Sequence, residues 1–233
     1  MVLRRSNLGL LCLLAMGLWS ATCGKPKVVA EDESQSCGVK STRECSDHAM
    51  ALLAKGDVIH GKKLLRLLCQ QGSNGDCVVL AGVLAAGGDA DGEAKRLLET
   101  TCQASFADAC FARGLLAQKV AGEDRAALDW YRKACGGGSA MGCEHGGILA
   151  SQATDKALAN LAPSMLATAC EQRRGLACLI AAELPAAHKA VKLKKKARVY
   201  LSADCEAGKA QECQWLSEAE STGRLPPKAR QKP

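Results

Sequence analysis

The sequence predicts an all-α protein, an α-solenoid of about five helix-turn-helix repeats stapled by disulfides. Three observations predict it. Twelve of the 14 cysteines fall into six C-x7-C pairs, and the first cysteines of successive pairs are 32, 33, 33, 35 and 35 residues apart. Between the pairs, apolar residues recur at helical spacing around a small residue at a fixed offset. Aromatic residues make up only 3% of the 233 residues, which leaves Ala, Leu, Val and Gly to build the core. Such material suits closely packed short helices and serves a β-sandwich poorly.

Residues 1–22 read as a secretory signal, with Arg4 and Arg5 ahead of an apolar run from Leu8 to Leu18 and small residues at Ser20, Ala21 and Thr22. The run is too short to span a bilayer, and no later run is long and apolar enough. Cys23 follows directly and has two readings. It is either the acylated cysteine of a bacterial lipobox, or a free thiol left by ordinary cleavage nearby. Ser20 and Thr22 depart from the usual lipobox residues, whereas the cysteine count favours lipidation: outside the six pairs only Cys12, inside the apolar run, and Cys23 are left over. Residues 23–36 are polar and suit a flexible tether.

The repeat domain is expected over 37–220. Its pairs are Cys37 and Cys45, Cys69 and Cys77, Cys102 and Cys110, Cys135 and Cys143, Cys170 and Cys178, and Cys205 and Cys213. Zinc ligand pairs sit closer together and need partners that the four scattered His residues do not supply. Export favours disulfides instead. Along one helix, residues eight apart are about 12 Å apart, but a disulfide requires Cα atoms about 4.4–6.8 Å apart. The chain must therefore reverse between partners, joining the end of one helix to the start of the next. Five of the six intervening stretches contain Gly, QASFADA being the exception.

The helices follow from the offsets. Eight residues before the first cysteine of each later pair stands Gly61, Ala94, Ala127, Ala162 or Ala197. Five and four before it stand Leu64/Leu65, Leu97/Leu98, Trp130/Tyr131, Met165/Leu166 and Tyr200/Leu201, completing a helical apolar face. Four after each second cysteine comes Ala49, Ala81, Gly114, Gly147, Ala182 or Ser217, small enough to let helices approach closely. In the loops, Asp89, Asp91 and Asp124 are available to cap the helices that follow. Pro163 and Pro185 fit only near a helix's first turn, so element boundaries should be displaced in the last two units. Residues 221–233 read as a disordered basic tail.

AALDWYRKAC (126–135), followed by GGGSAMGC and a small residue four after Cys143, resembles the SEL-like repeat of the tetratricopeptide-repeat superfamily. The regular C-x7-C spacing is similar to that of the Helicobacter cysteine-rich protein family. The resemblance spans about 37–220 and fades in the last two units. It implies a curved right-handed solenoid that assembles protein complexes, so the expected partner is a protein or peptide. It also implies a rival, a β-lactam-binding protein or β-lactamase. The residues give that rival little support: no Ser has Lys three residues on, no K-T-G occurs, and Ser46-Asp47-His48 only approaches S-D-N. His48, His60, His145 and His188 show no metal-site spacing, and no cofactor or catalytic residue is expected. Gly136–Gly138 with Ser139 lacks a P-loop lysine and reads as a turn.

Lys189, Lys192, Lys194, Lys195, Lys196 and Arg198 form the one dense basic cluster. It suits contact with an anionic lipid, envelope polymer or acidic partner, or is simply a solvated helix face. Lys194, Lys195 and Lys196 cannot all point one way. Losing residues 1–22 lowers the formal charge from +7 to +5, and an exported protein is not expected to meet nucleic acid. The expected product is an exported scaffold at the cell envelope or periplasm, lipid-anchored or secreted, that binds a protein or peptide.

Overall fold

The computed structural model describes residues 37, 41–89, 92–103, 106–120, 122–185 and 189–225. The chain divides into two units, Met1–Val39 and Lys40–Pro233. Only Cys37 of the first unit is among the described residues, and the expected signal, tether and lipidation cysteine (Cys23) lie outside them.

The second unit is helical throughout its described residues. Its first three helices are α1 (Thr42–Ala54), α2 (Val58–Gln70) and α3 (Asn74–Ala86). Then come α4 (Glu93–Gln103), α5 (Ala107–Gln118), α6 (Asp124–Gly136) and α7 (Ala140–Ser151). The short α8 (Lys156–Ala159) precedes α9 (Ala162–Glu171), α10 (Gly175–Ala181), α11 (Ala190–Glu206) and α12 (Ala210–Ser221). Each main helix packs on the next in sequence, which makes the unit a solenoid of helical hairpins.

The staples lie where the spacing requires them. Five bridges join α2 to α3, α4 to α5, α6 to α7, α9 to α10 and α11 to α12, with Cα separations of 4.5–4.7 Å. Cys37 and Cys45 are each disulfide-bonded. Every bridged turn described in full reverses in the same way. The third residue after the first cysteine has positive φ: Gly72 (92°), Gly138 (91°), Arg173 (67°) and Gly208 (86°). The next N–H closes back on the helix, as in Ser73 to the Leu68 carbonyl at 3.1 Å and Ser139 to the Ala134 carbonyl at 2.9 Å. This is a Schellman ending. The same residue's carbonyl then accepts from the second cysteine's N–H, so one residue ends a helix and begins another.

The small-residue offsets are the points of closest approach. The residue eight before the cysteine is buried in all five helices, and so is the one four before it: Leu65, Leu98, Tyr131, Leu166 and Leu201. A Cβ on Gly114 would lie 2.5 Å from the Tyr131 ring, and one on Gly147 would lie 2.7 Å from Leu166 Cγ. The position five before is less regular. Leu64 and Met165 are buried, whereas Leu97, Trp130 and Tyr200 are half-buried. Trp130 carries Arg113 and Lys133 on its ring, with centroid distances of 5.3 and 4.2 Å.

Several expectations are corrected. Asp89 does bond the α4 N-terminus, its carboxylate accepting from Glu93 N–H at 3.1 Å. Asp124 does not cap α6 but lies inside its first turn, with Glu123 at the cap position; Asp91 lies outside the described residues. Pro163 occupies the first turn of α9, where its missing N–H costs nothing. Pro185 lies outside any helix, in the link between α10 and α11, because α10 ends after only seven residues. The packed body also passes 220. Leu225 is fully buried against Cys170, Cys178 and Leu201, its N–H bonds the Ala219 carbonyl at 2.8 Å, and Arg224 grips Glu183 through two bonds of 2.6 and 2.7 Å. Residues 226–233 of the expected tail lie outside the described residues.

Candidate interaction surface

The basic cluster falls on α11, and helical geometry splits it. Lys189, Lys192, Leu193 and Lys196 stand at i, i+3, i+4 and i+7, so they share one face. With Ala167, Cys170 and Glu171 of α9 they line a groove of about 410 Å³. Lys194 and Lys195 do not line it. Arg198 is engaged elsewhere, in an ion pair with Glu220 of α12. Of the six predicted contact residues, the structure therefore brings three lysines together and diverts the other three.

The three groove lysines make no ion pair with a carboxylate among the described residues. Glu171 is the one carboxylate in the lining. Leu193 and Ala167 add apolar surface to the lining, against which the lysine stems can lie with their ammonium groups in water. Two exposed apolar residues continue the outer side of α11: Val191, 72% exposed, and Val199, 60% exposed. Glu171, Ala167 and the valines were not singled out from the sequence. The spacing of Lys189, Lys192, Leu193 and Lys196 was readable in the sequence, but nothing local says that Ala167 and Glu171 of α9 stand opposite.

A second groove, of about 420 Å³, lies between the Cys69–Cys77 staple and α4, lined among others by Glu93, Arg96, Leu97 and Thr100. Its one carboxylate is already engaged: Arg66 of α2 donates to both Glu93 oxygens at 2.7 and 3.0 Å, and Arg96 also lines the groove. The pairing holds the Glu93 carboxyl below its ordinary range and the Arg66 guanidinium above its own.

Residues considered for chemistry have structural employment. Ser46 donates to Asp76 at 2.5 Å, and Ser73 donates to the other oxygen of the same carboxylate at 2.5 Å. His60 rests on Asp57, and His145 packs against the Phe111 and Tyr131 rings at centroid distances of 5.0 and 5.8 Å. Burial lowers the His145 pKa and raises that of Tyr131 to about 12; the Tyr131 hydroxyl donates to Gln118 at 2.7 Å. His188 lies outside the described residues. Among the described residues, no group of three His, Cys, Asp or Glu is placed to hold a metal ion.

No protein-family model matches the chain, nor does any curated protein. Solved structures do. The crystal structure of a Sel1 repeat protein from Oxalobacter formigenes superposes with a TM-score of 0.59 at 16% identity, covering 83% of this chain and 84% of that one. This chain has the SEL-like repeat fold. A second likeness is to c5321, described as a protective antigen of uropathogenic Escherichia coli strains displaying an SLR fold, with a TM-score of 0.58 at 18% identity. It covers 82% of this chain, which spans only 44% of that antigen. Both grooves open beside a first cysteine, Cys69 or Cys170, and share one register position on the facing helix, Glu93 in one and Lys196 in the other. The cysteine staples of this chain sit at the turns that join α2 to α3, α4 to α5, α6 to α7, α9 to α10 and α11 to α12.

Proposed function

We propose that this protein is an exported scaffold, tethered to the membrane through an acylated Cys23, that binds a protein or peptide partner at the cell envelope. The observation that carries the reading is the stapled hairpin array itself. A small-residue core with few aromatics gains rigidity from covalent turns, and rigid SEL-like repeats present side chains at fixed spacing, as helical repeat scaffolds for protein partners do. The disulfides fit an oxidising compartment, and no described helix is long and apolar enough to cross a membrane.

The test is a crosslinking pull-down from envelope extract with oxidised protein and with reduced, alkylated protein. A specific partner recovered only with the oxidised form supports the scaffold, and no specific partner in either form removes it. The tether is tested separately. Wild type should enter the detergent phase on phase separation and Cys23→Ser should stay in the aqueous phase; equal partition of the two would leave the tether without support.

A further inference from the structure

We infer that the groove between α9 and α11 is a seat for an extended acidic segment of a partner polypeptide. This rests on the scaffold reading and names the partner's chemistry. The argument begins with register. At the α2–α4 junction, Arg66 stands three residues before its cysteine and Glu93 nine before the next first cysteine, and the two form an ion pair across neighbouring repeats. At the same offsets the α9–α11 junction carries Ala167 and Lys196. The cation has moved to the other side, and the partner that would neutralise it is a methyl group. The intervening junctions carry Glu99 with Ala126 and Arg132 with Leu161, so no other described junction places an unpaired lysine there.

Lys189 and Lys192 extend the same charge along one face of α11, leaving three lysines against the single carboxylate of Glu171. From Lys189 to Lys196 the helix rises about 10 Å. An extended strand of about five residues covers that length and puts three alternate side chains, about 6.6 Å apart, on one side. Carboxylates at alternate positions thus reach successive ammonium groups. Between them, aliphatic side chains meet Leu193 and Ala167 of the lining. The mixed lining favours a polypeptide over a membrane surface, because two valines and no exposed aromatic give α11 little to insert into lipid.

The probe is a fluorescein-labelled alternating Glu-Leu peptide, titrated into the oxidised protein and followed by anisotropy. The triple variant Lys189→Gln/Lys192→Gln/Lys196→Gln should lose about tenfold or more in affinity, as removal of three charge contacts implies. A charge-matched control, Lys55→Gln/Lys63→Gln/Lys119→Gln, should stay within about twofold of wild type, and added salt should weaken wild type more than the groove variant. All six lysines are outside the buried core, and circular dichroism confirms that both variants fold. Equal loss in the two triples would reduce the effect to net charge and overturn the seat. So would no peptide binding with phosphatidylglycerol vesicles bound in a groove-dependent way, which would assign the lysines to lipid. A specific envelope partner whose capture ignores the groove triple would remove the seat and leave the scaffold standing. Groove-dependent peptide binding without any envelope partner would do the reverse.

Discussion

Arg173 is the one non-glycine described residue with positive φ, at 67°, and it occupies the position that Gly72, Gly138 and Gly208 hold in the other bridged turns. The left-handed conformation costs an L-residue about 1–2 kcal/mol. Its guanidinium lies 5.4 Å from the Tyr200 ring centroid, a contact worth about 0.5–1 kcal/mol. Gly would relieve the strain, lose the contact and make the unfolded chain more flexible, terms that roughly cancel. Arg173→Gly should therefore melt close to wild type, and Arg173→Ala, which keeps the strain and loses the contact, should be about 0.5–1 kcal/mol less stable. The reverse order in thermal melts would show that the turn does not hold this conformation. Glu144 poses a different local problem. It is 2% exposed and paired on one side by Arg174, while its other oxygen has no partner. Burial raises its pKa, with Arg174 opposing and Glu212 of α12 adding to the shift. A raised folded pKa favours the protonated form, so the contribution to stability is full below the ordinary glutamate value and is lost as pH rises through the folded value. Glu144→Gln should gain on wild type in melting temperature as pH rises from about 4 towards neutrality. A difference independent of pH would rule out a raised pKa at this carboxyl.

At the scale of elements, the small residues act through the helix on the far side. Gly147 of α7 faces both Leu166 Cγ and the Leu166 backbone nitrogen, the latter 3.0 Å from an added Cβ, so a rotamer change alone does not relieve the clash and α9 itself must give way. Gly147→Ala should cost about 1–3 kcal/mol, despite Ala's better helix propensity of about 1 kcal/mol. Gly82 in α3 has nothing within 4 Å of an added Cβ, and Gly82→Ala should stabilise by up to about 1 kcal/mol. Urea melts of the pair check the contrast; a stabilised Gly147→Ala would mean that α7 and α9 pack less closely than they do here. The same reasoning explains Gly175, which reads from sequence as a turn residue. It opens α10 instead, where an added Cβ would lie 2.7 Å from Leu201 Cγ, and Arg173 takes the left-handed position. α12 differs from its equivalents. Ser217 is exposed, whereas Ala49, Ala81, Gly114, Gly147 and Ala182 at the same offset are buried against neighbours.

At the scale of the whole array, stability accumulates between neighbours. Each closed turn is worth about 2.5 kcal/mol in the chain-entropy view, whose mechanism is model-dependent. The bridges are not equally protected. Cys170 and Cys178 are 1% and 0% exposed, whereas Cys205 and Cys213 are both half-buried. Graded reduction with mass-spectrometric mapping should open Cys205–Cys213 before Cys170–Cys178. Replacing both Cys205 and Cys213 with Ala should speed hydrogen exchange in α11 and α12 and leave α2 to α7 protected. Loss of protection across the whole chain at once would mean a single cooperative block, not a sum of coupled hairpins.

The all-α class, the repeat period, the staple pairing and the buried offsets four and eight before each cysteine were determined by the sequence alone, because a covalent bridge and a 3.6-residue period are local constraints that leave little freedom. The candidate site was legible only as a basic run on one segment. Which lysines face one groove, which cation is consumed by Glu220, and which glycine makes a turn and which makes room all depend on the neighbouring helix. The displaced link around Pro185 and the burial of Leu225 likewise follow from how the last hairpins stack. Tertiary structure decided these because charge pairing and close approach belong to two elements at once, and the separation in sequence between them carries no local signal.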